Sequence, residues 1–260
     1  MAKKLGFVLG SGGSRGVAHV GFLQAMEDNG IRPDFITGSS MGAVVGSNYA
    51  NGMTPKRMMK EVVELKKMHL LDFDLNILKS QSLLRSNKLT QILTKLLKNK
   101  GFDDLKIPFA CSAVDLKTGK IVTLKDGDLV KSVQASATIP GIFKPVEIGN
   151  YALIDGGIKQ RLPVDACREL GAEVIVAVDV LGDVKYADKA YNVVSVMLRT
   201  IEIMDCAQRD FLVKEEKIDL LLQPEMGSIS QFKFSNYDIS YESGYKIGSE
   251  NVEKIKKLIK

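Results

Sequence analysis

The chain has 260 residues, of which 45% are hydrophobic and 26% charged, and this suits one large α/β domain or two small ones in a soluble protein. Its formal net charge of +5 is mild and forms no basic stripe, which argues against a nucleic-acid partner and permits contact with anionic lipid. We find no apolar run of about 18 residues that would predict a membrane-spanning helix, and no convincing secretory signal. The three cysteines are widely spaced and predict reduced thiols in a cytoplasmic protein.

Strand-like apolar runs alternate with helical patterns along the chain. The first four predicted elements are a strand at Leu5–Leu9, a helix near residues 17–28, a strand at residues 34–37 and a helix from Met41. Further strands are predicted at residues 107–114, 120–124, 151–154, 174–180 and 218–222, and further helices near residues 129–135, 164–170, 191–213 and 241–259. This alternation indicates an α/β fold with a mostly parallel central sheet and helices on both faces.

Residues 55–100 interrupt the alternation with two Lys-rich helical stretches and a Leu-rich connector. We interpret them as a helical excursion at one end of the sheet, within a single domain of residues 1–260. One helix is predicted to begin after Ser86 as its N-cap and to carry an apolar face at helical spacing, formed by Leu89, Ile92, Leu93, Leu96 and Leu97. Lys88, Lys95 and Lys98 lie on the side of the helix away from this apolar face. An apolar face with lysines opposite it is compatible with two interpretations. The helix either packs on the domain surface or forms a mobile cover of the active site that docks on lipid.

The stretch Gly38-Ser39-Ser40-Met41-Gly42 lies between a predicted strand and a predicted helix. It matches G-x-S-x-G, the sharp turn that lifts a nucleophilic serine out of the backbone. Such a turn is strained and close to its neighbours, which is why it contains glycine. Ser40 is therefore a candidate nucleophile, and the competing interpretation is a Gly-rich turn in which a serine caps the helix.

Residues 10–16, Gly-Ser-Gly-Gly-Ser-Arg-Gly, follow the first predicted strand and precede a helix. Backbone N–H groups in such a loop can face an anion, either the oxyanion of a tetrahedral intermediate or a phosphate. A dinucleotide fingerprint needs glycine at its first, third and sixth places, and no register of this stretch supplies all three. The alternative function, a non-catalytic or nucleotide- or phosphate-binding α/β protein, is therefore the weaker one.

A serine nucleophile needs a base, and the two histidines, His19 and His69, are poor candidates. Because no histidine follows residue 69, the order Ser, acid, His of α/β-hydrolases is impossible. Asp155 ends a predicted strand, and we expect it to face the same edge of the sheet as Ser40. In a water-poor pocket its pKa would rise, so that it could take the proton from Ser40 directly. An Asp-Gly turn without catalytic role is the competing interpretation.

Three motifs in this order, residues 12–16, residues 38–42 and residues 155–157, resemble those of the bacterial patatin-like phospholipases. The intervening stretches at residues 135–141 and 162–164 are also similar to that family. The resemblance runs from about Leu5 to Val180 and more weakly to the end of the chain. It implies a patatin-like architecture and hydrolysis of acyl-ester lipids by a Ser–Asp dyad, here Ser40 as nucleophile and Asp155 as its base.

The resemblance also implies an oxyanion hole and a set of supporting residues. The hole would be formed by the N–H groups of Gly12, Gly13, Ser14 and Met41, and the motifs are completed by Arg15, Gly16, Gly38, Gly42, Gly156 and Gly157. The sequence departs from the family pattern at Ser11 and at Lys159-Gln160-Arg161, which leaves open what lines the rim of the site.

Together these observations predict a serine acyl hydrolase that acts on phospholipid, lysophospholipid or a related fatty-acyl ester. No cofactor or metal is expected, because no cluster of His, Cys, Asp or Glu has ligand spacing. We expect a cytoplasmic protein with peripheral contact with membranes.

Overall fold

The computed structural model describes residues 2–67, 82–182, 196, 199–200, 203–204, 209–211, 213, 217–227, 229 and 234–260, with side chains from residue 86 onward in the second range. His69, Cys206 and the Leu-rich connector near residues 70–75 lie outside the described residues. So does most of the helix predicted at residues 191–213, although its described residues have helical backbone.

The described residues form one sheet of eight strands. These are β1 (Leu5–Leu9), β2 (Phe35–Gly38), β3 (Phe109–Asp115), β4 (Ile121–Leu124), β5 (Val146–Ile148), β6 (Tyr151–Asp155), β7 (Val174–Val178) and β8 (Leu220–Leu222). The strand order is β5-β6-β3-β2-β1-β7-β8, and β4 also pairs with β3. The five strands from β3 to β8 along this order are parallel, whereas β4, β5 and β6 are antiparallel to their neighbours.

Helices cover both faces of the sheet, as predicted. They are α1 (Val17–Asp28), α2 (Met41–Ala50), α3 (Pro55–Lys67), α4 (Ser82–Leu97), α5 (Leu129–Ser136), α6 (Val164–Glu169), α7 (Tyr237–Glu250) and α8 (Val252–Leu258). Side chains of β1 alternate between the faces: Phe7 and Leu9 join the core beneath α1, and Val8 joins a smaller cluster beneath α6. None of the helices in the described ranges is long and apolar enough to cross a membrane.

Two helix boundaries differ from the prediction. The helix expected at residues 241–259 is two helices, α7 and α8, which meet at Asn251. α4 begins at Ser82, so Ser86 is not its N-cap. The hydroxyl of Ser86 instead accepts a hydrogen bond from the Lys144 amide at 3.1 Å, and this tertiary contact explains its burial within the helix.

The apolar face of α4 packs into the protein. Leu93 and Leu97 are fully buried in the main core, and Leu89 packs against it, whereas Lys88, Lys95 and Lys98 are exposed. This arrangement supports the interpretation of α4 as a helix packed on the domain. A cover that docks its apolar face on lipid would have to withdraw these leucines from the core.

Strand β3 brings β2 and β6 together along one of its edges. Cys111 of β3 pairs with both β2 and β4, which therefore lie on opposite edges of β3. Ala113 of β3 pairs with both β4 and β6, so β6 also lies opposite β4 and continues the edge on which β2 ends. The sheet thus places the last residue of β6, Asp155, just beyond the last residue of β2, Gly38.

Candidate active site

Ser40 occupies a strained turn between β2 and α2. Its backbone angles are φ 52° and ψ −121°, a left-handed conformation that costs a non-glycine residue about 1–3 kcal/mol. Neither flanking glycine could carry a side chain: a methyl group on Gly38 would lie 2.4 Å from the Gly42 carbonyl oxygen, and one on Gly42 would lie 2.0 Å from that of Leu9. The close packing of β1, β2 and α2 therefore requires the two glycines of Gly-x-Ser-x-Gly.

The Ser40 hydroxyl donates a hydrogen bond to Asp155 Oδ2 at 2.7 Å. It makes no capping hydrogen bond to the start of α2, so the plain helix-cap interpretation does not describe this serine. The two residues are only 7% and 6% exposed, so their contact is shielded from bulk water. A short, buried contact between hydroxyl and carboxylate is suited to moving a proton off the serine as it attacks.

Asp155 does reach Ser40, as we expected, but the reason that we gave was wrong. β2 and β6 do not have their carboxyl ends at the same edge of the sheet. β6 is antiparallel to β3, whereas β2 is parallel to it, so the carboxyl ends of β6 and β2 point in opposite directions. The two strands approach each other end to end along β3. The register, Asp155 opposite Ala113 and Gly38 opposite Cys111, brings the side chains together.

Burial raises the pKa of Asp155 to about 6, against the opposing effect of two hydrogen bonds that stabilise the carboxylate. These come from the Ser40 hydroxyl and, at 2.8 Å to Oδ1, from the Gly157 amide. The carboxyl group is therefore mostly ionised at neutral pH but is a stronger base than an exposed aspartate. Gly156 and Gly157 open the 3₁₀ turn that follows the strand, and both are buried.

Two residues that the sequence analysis gave no role hold the pair in place. The Ser136 hydroxyl, at the end of α5, accepts a hydrogen bond from the Ser40 amide at 3.1 Å. The Thr138 carbonyl accepts one from the Asp155 amide at 2.9 Å. Both belong to the family-like stretch at residues 135–141, so a signal was present, but only the fold shows which atoms it serves.

The glycine loop lies beside the serine turn. It leaves β1 at Gly10 and enters a 3₁₀ turn at Gly13–Gly16, with Gly13 at φ 53°. A methyl group on Gly16 would lie 2.3 Å from Met41 Cγ, so the end of the loop contacts the first residue of α2. Among the residues that the structure describes, no acceptor is paired with the N–H of Gly12 or Gly13. Ser14 is buried in the 3₁₀ turn, and Arg15 donates from Nε to the Ile229 carbonyl at 2.8 Å.

His19 is a buried structural residue. Its side chain is fully buried, and Nε2 donates to the Gly10 carbonyl at 2.8 Å. Burial lowers the pKa of His19 to about 4, so the ring is neutral at pH 7 and carries its proton on Nε2. The expectation that His19 serves packing and not proton transfer agrees with this placement.

The residues at which the sequence departs from the family pattern are mostly buried. Lys159 is exposed and donates to the Gly119 carbonyl at 2.8 Å, but Gln160 and Arg161 are buried. The Ser11 amide donates to the Arg161 carbonyl at 3.1 Å. Of the stretch Lys159-Gln160-Arg161, only the lysine is therefore exposed.

A serine on a strained strand-to-helix turn is typical of serine hydrolases with an α/β fold. Here its hydrogen-bond partner is a buried carboxylate and not a histidine. The sequence profile of the patatin-like phospholipases matches residues 7–168, which include the glycine loop, the serine turn and Asp155. The chain belongs to the patatin-like phospholipase family.

Relatives in sequence come from bacteria, animals and fungi. An uncharacterised NTE family protein of Mycobacterium bovis is 34% identical over 181 residues, 69% of this chain and 49% of the relative. Patatin-like phospholipase domain-containing protein 6 of Mus musculus is 26% identical over 276 positions, 94% of this chain and 20% of the relative. Lysophospholipase NTE1 of Coccidioides immitis is 26% identical over 284 positions, 98% of this chain and 18% of the relative. The chain thus spans about half or less of the length of these relatives.

Two solved structures share the fold. VipD from Legionella pneumophila superposes with a TM-score of 0.57 at 15% identity, covering 99% of this chain and 67% of VipD. ExoU from Pseudomonas aeruginosa, in its complex with SpcU, superposes with a TM-score of 0.52 at 13% identity, covering 100% of this chain and 53% of that chain. At this identity the likeness concerns the fold alone.

Proposed function

We propose that this chain is a serine acyl hydrolase that cleaves fatty-acyl esters of phospholipids or lysophospholipids. The observation that carries the proposal is the 2.7 Å contact between the Ser40 hydroxyl and Asp155 at the strained turn. Membership of the patatin-like phospholipase family supports an ester-hydrolase chemistry. The name of the Coccidioides relative, a lysophospholipase, supports the substrate class.

The reaction would proceed through an acyl-enzyme. Ser40 Oγ attacks the ester carbonyl carbon while its proton passes to Asp155 Oδ2. The tetrahedral intermediate collapses, and the leaving alcohol takes that proton from Asp155. Water then attacks the acyl-serine, Asp155 accepts a proton from it, and Ser40 recovers the proton as the fatty acid leaves. A carboxylate with a pKa of about 6 is suited to both directions of transfer near neutral pH.

The glycine loop supplies the oxyanion hole in this proposal. The N–H groups of Gly12 and Gly13, with those of Ser14 and Met41, would donate to the negative oxygen of the intermediate. The absence of described acceptors for the first two supports this role. Donors that are already in place stabilise the transition state without reorganisation, and losing one such donor typically costs about 10²–10³ in rate.

A fluorophosphonate probe tests the proposal, because it phosphonylates an activated serine. We expect labelling of the wild type at Ser40 and none of Ser40→Ala. In Asp155→Asn, both the rate of labelling and the rate of hydrolysis of a short soluble ester should be about 10²–10⁴ times lower than in the wild type. The alternative of a phosphate-binding α/β protein predicts an unlabelled wild type that binds a nucleotide or inorganic phosphate. Contact with a membrane surface would follow from the lipid substrate and belongs to the same proposal.

A further inference from the structure

Arg161 and Asp179 form a buried ion pair that the proposed reaction does not use. Their side chains are 1% and 0% exposed. Arg161 Nε donates to Asp179 Oδ1 at 2.7 Å, and Nη2 donates both to the same oxygen and, at 2.8 Å, to the Gly182 carbonyl. Arg161 lies at the position where the sequence departs from the family pattern, and its planar fork allows it to bridge several acceptors at once.

The pair joins the two segments between which the glycine loop lies. On one side, the Ser11 amide donates to the carbonyl of Arg161 itself at 3.1 Å. On the other side, the Gly10 amide donates to the Val178 carbonyl at 3.0 Å, and Arg15 Nη1 donates to the Leu181 carbonyl at 3.2 Å. The loop is thus hydrogen-bonded to residue 161 and to the residues on either side of Asp179.

The carboxylate of Asp179 accepts further hydrogen bonds, one from within residues 178–182 and others from later in the chain. The Leu181 amide donates to Oδ1 at 3.2 Å, and the side chain of Gln223 donates to Oδ2 at 3.1 Å. Arg209 Nη1 also approaches Oδ2, at 3.4 Å. Several hydrogen bonds that converge on one carboxylate therefore fix the position of residues 178–182. Arg161 connects these residues to the turn and loop that follow Asp155.

The Val180 side chain shows how closely the loop depends on this segment. A methyl group on Gly12 would lie 2.2 Å from Val180 Cγ2, so the loop packs directly against the residue that follows Asp179. A movement of residues 178–182 would therefore displace the backbone of Gly12, one of the proposed oxyanion donors.

Net stability is a weak reason for such a pair, because taking two charges out of water offsets most of their attraction. Fixed geometry is a better one. We infer that Arg161 and Asp179 are positioning residues that hold the glycine loop at a set distance from Ser40. This inference rests on the proposed function for its effect on rate, but its effect on the loop can be measured without any substrate.

Arg161→Lys is the decisive variant, since lysine keeps the charge but lacks the planar fork with which Nε and Nη2 of Arg161 together hold Asp179 Oδ1. With a short soluble ester we expect kcat to fall about tenfold to a hundredfold, as for a small displacement of catalytic groups, with KM little changed. The rate of fluorophosphonate labelling should fall in parallel. Arg168→Lys is the matched control, because it alters an ion pair with Asp219 whose side chains are 34% and 31% exposed and that is not hydrogen-bonded to the loop. The kcat of this variant should equal that of the wild type.

Amide hydrogen exchange provides the second measurement. In Arg161→Lys, exchange in residues 10–16 should rise about tenfold or more, while exchange in β2 and α2 stays as in the wild type. Should Arg161→Lys fail to fold, Asp179→Asn, which keeps an acceptor for the Leu181 amide, is measured in the same two ways.

The outcomes separate the two proposals. Wild-type kcat together with unchanged exchange in the folded variant would overturn the positioning role. If Arg161→Lys shows raised exchange in residues 10–16 but the fluorophosphonate does not label the wild type, the positioning role is supported and the proposed hydrolase function is overturned. A fall in kcat without any change in exchange would also overturn the inference, because the loss would then arise elsewhere.

Discussion

Ser40 and Asp155 share a 2.7 Å hydrogen bond although 115 residues separate them in the chain. Ser40 follows β2 and Asp155 ends β6, and these two strands do not pair with each other. Their contact depends on β3, because β2 and β6 pair with successive parts of the same edge of that strand. The candidate site is therefore a product of long-range sheet pairing.

The strain at Ser40 predicts that Ser40→Gly is more stable than Ser40→Ala, the reverse of the order that holds inside a helix. Ser40→Ala keeps the left-handed backbone of φ 52°, whereas Ser40→Gly relieves it, so we expect Ser40→Gly to be the more stable of the two by about 1 kcal/mol. Urea unfolding measures the difference. Ser47 in the middle of α2 provides the control, because there Ser47→Gly should be less stable than Ser47→Ala. Equal stabilities at position 40 would argue against strain in the turn.

The raised pKa of Asp155 predicts the pH dependence of hydrolysis. In the proposed reaction Asp155 acts as a base only when it is a carboxylate, so kcat/KM should rise about tenfold per pH unit below a midpoint near 6 and level off above it. A short soluble ester assayed from about pH 4.5 to pH 8.5 gives the profile. A midpoint below about 4.5 would show that burial does not raise the pKa of the base.

The same pKa predicts that Asp155→Asn is more stable than the wild type in alkaline solution. Since the pKa of Asp155 is about 6 when folded and about 3.9 when unfolded, stability from this group decreases as pH rises from about 4 to about 6, by roughly 2–3 kcal/mol in all. Asparagine carries no charge to bury, so Asp155→Asn should gain about 1–3 kcal/mol at pH 8 and nothing near pH 4. Unfolding in urea at both pH values tests this.

Asp115 is the control for that measurement. Hydrogen bonds from Thr118 and from the Ala152 and Lys117 amides lower the pKa of this carboxyl group, so its contribution to stability is present above the pKa of the unfolded chain. Asp115→Asn should therefore lose stability at pH 8, the opposite sign. A loss at both positions would indicate that the Asp155 carboxylate stabilises the fold.

His19 predicts a mild loss when it is replaced by glutamine. The amide of Gln can donate to the Gly10 carbonyl as His19 Nε2 does, so Ser40 should keep its surroundings. We expect His19→Gln to retain more than about a tenth of the wild-type esterase activity, far from the 10²–10⁴-fold loss that follows removal of a general base. His19→Leu, which has no donor, should cost about 1 kcal/mol more in stability. A folded but inactive His19→Gln would point to a histidine-dependent mechanism.

The packing of α4 predicts that its lysines have no part in lipid binding. Because Leu93 and Leu97 are fully buried, the apolar face is not available to a bilayer, and the triple change of Lys88, Lys95 and Lys98 to Gln should leave sedimentation with anionic vesicles unchanged. Activity on a soluble ester should also be unaffected. Weaker, salt-sensitive sedimentation of the triple variant would instead support the mobile-cover interpretation.

The sequence predicted the strands and helices that are marked by apolar periodicity and by glycine loops at their ends. The strand at Leu5–Leu9, the following α1 and the start of α2 at Met41 lie where expected, because apolar periodicity and glycine loops bound them. The short strand β5 was missed, although Gly149-Asn150 is a two-residue hairpin loop, with Gly149 at φ 56°. Three residues of strand carry too little periodicity to be recognised.

The candidate site was predictable in its residues but not in its assembly. Ser40 and Asp155 were found from motifs, yet the direction of β6 could not be read from residues 151–155, since a five-residue strand looks the same in either orientation. The departure from the family pattern at Lys159-Gln160-Arg161 left open what lines the rim, and nothing in the sequence predicted that Arg161 is buried. Its burial depends on Asp179, which directly follows β7, and no sequence signal indicated that the two residues pair.

The hairpin of β5 and β6 gives the candidate site an unusual dependence on a remote turn. Ile148 pairs with Tyr151 across Gly149-Asn150, and the count of residues from that turn to Asp155 decides which face of the sheet the carboxylate occupies. In a strand, a slip of one residue moves every side chain to the opposite face. We therefore expect a single insertion or deletion between the turn and Asp155 to turn the carboxylate away from Ser40 while the strands still pair. The length of this hairpin is then as constrained as the identity of the two candidate residues.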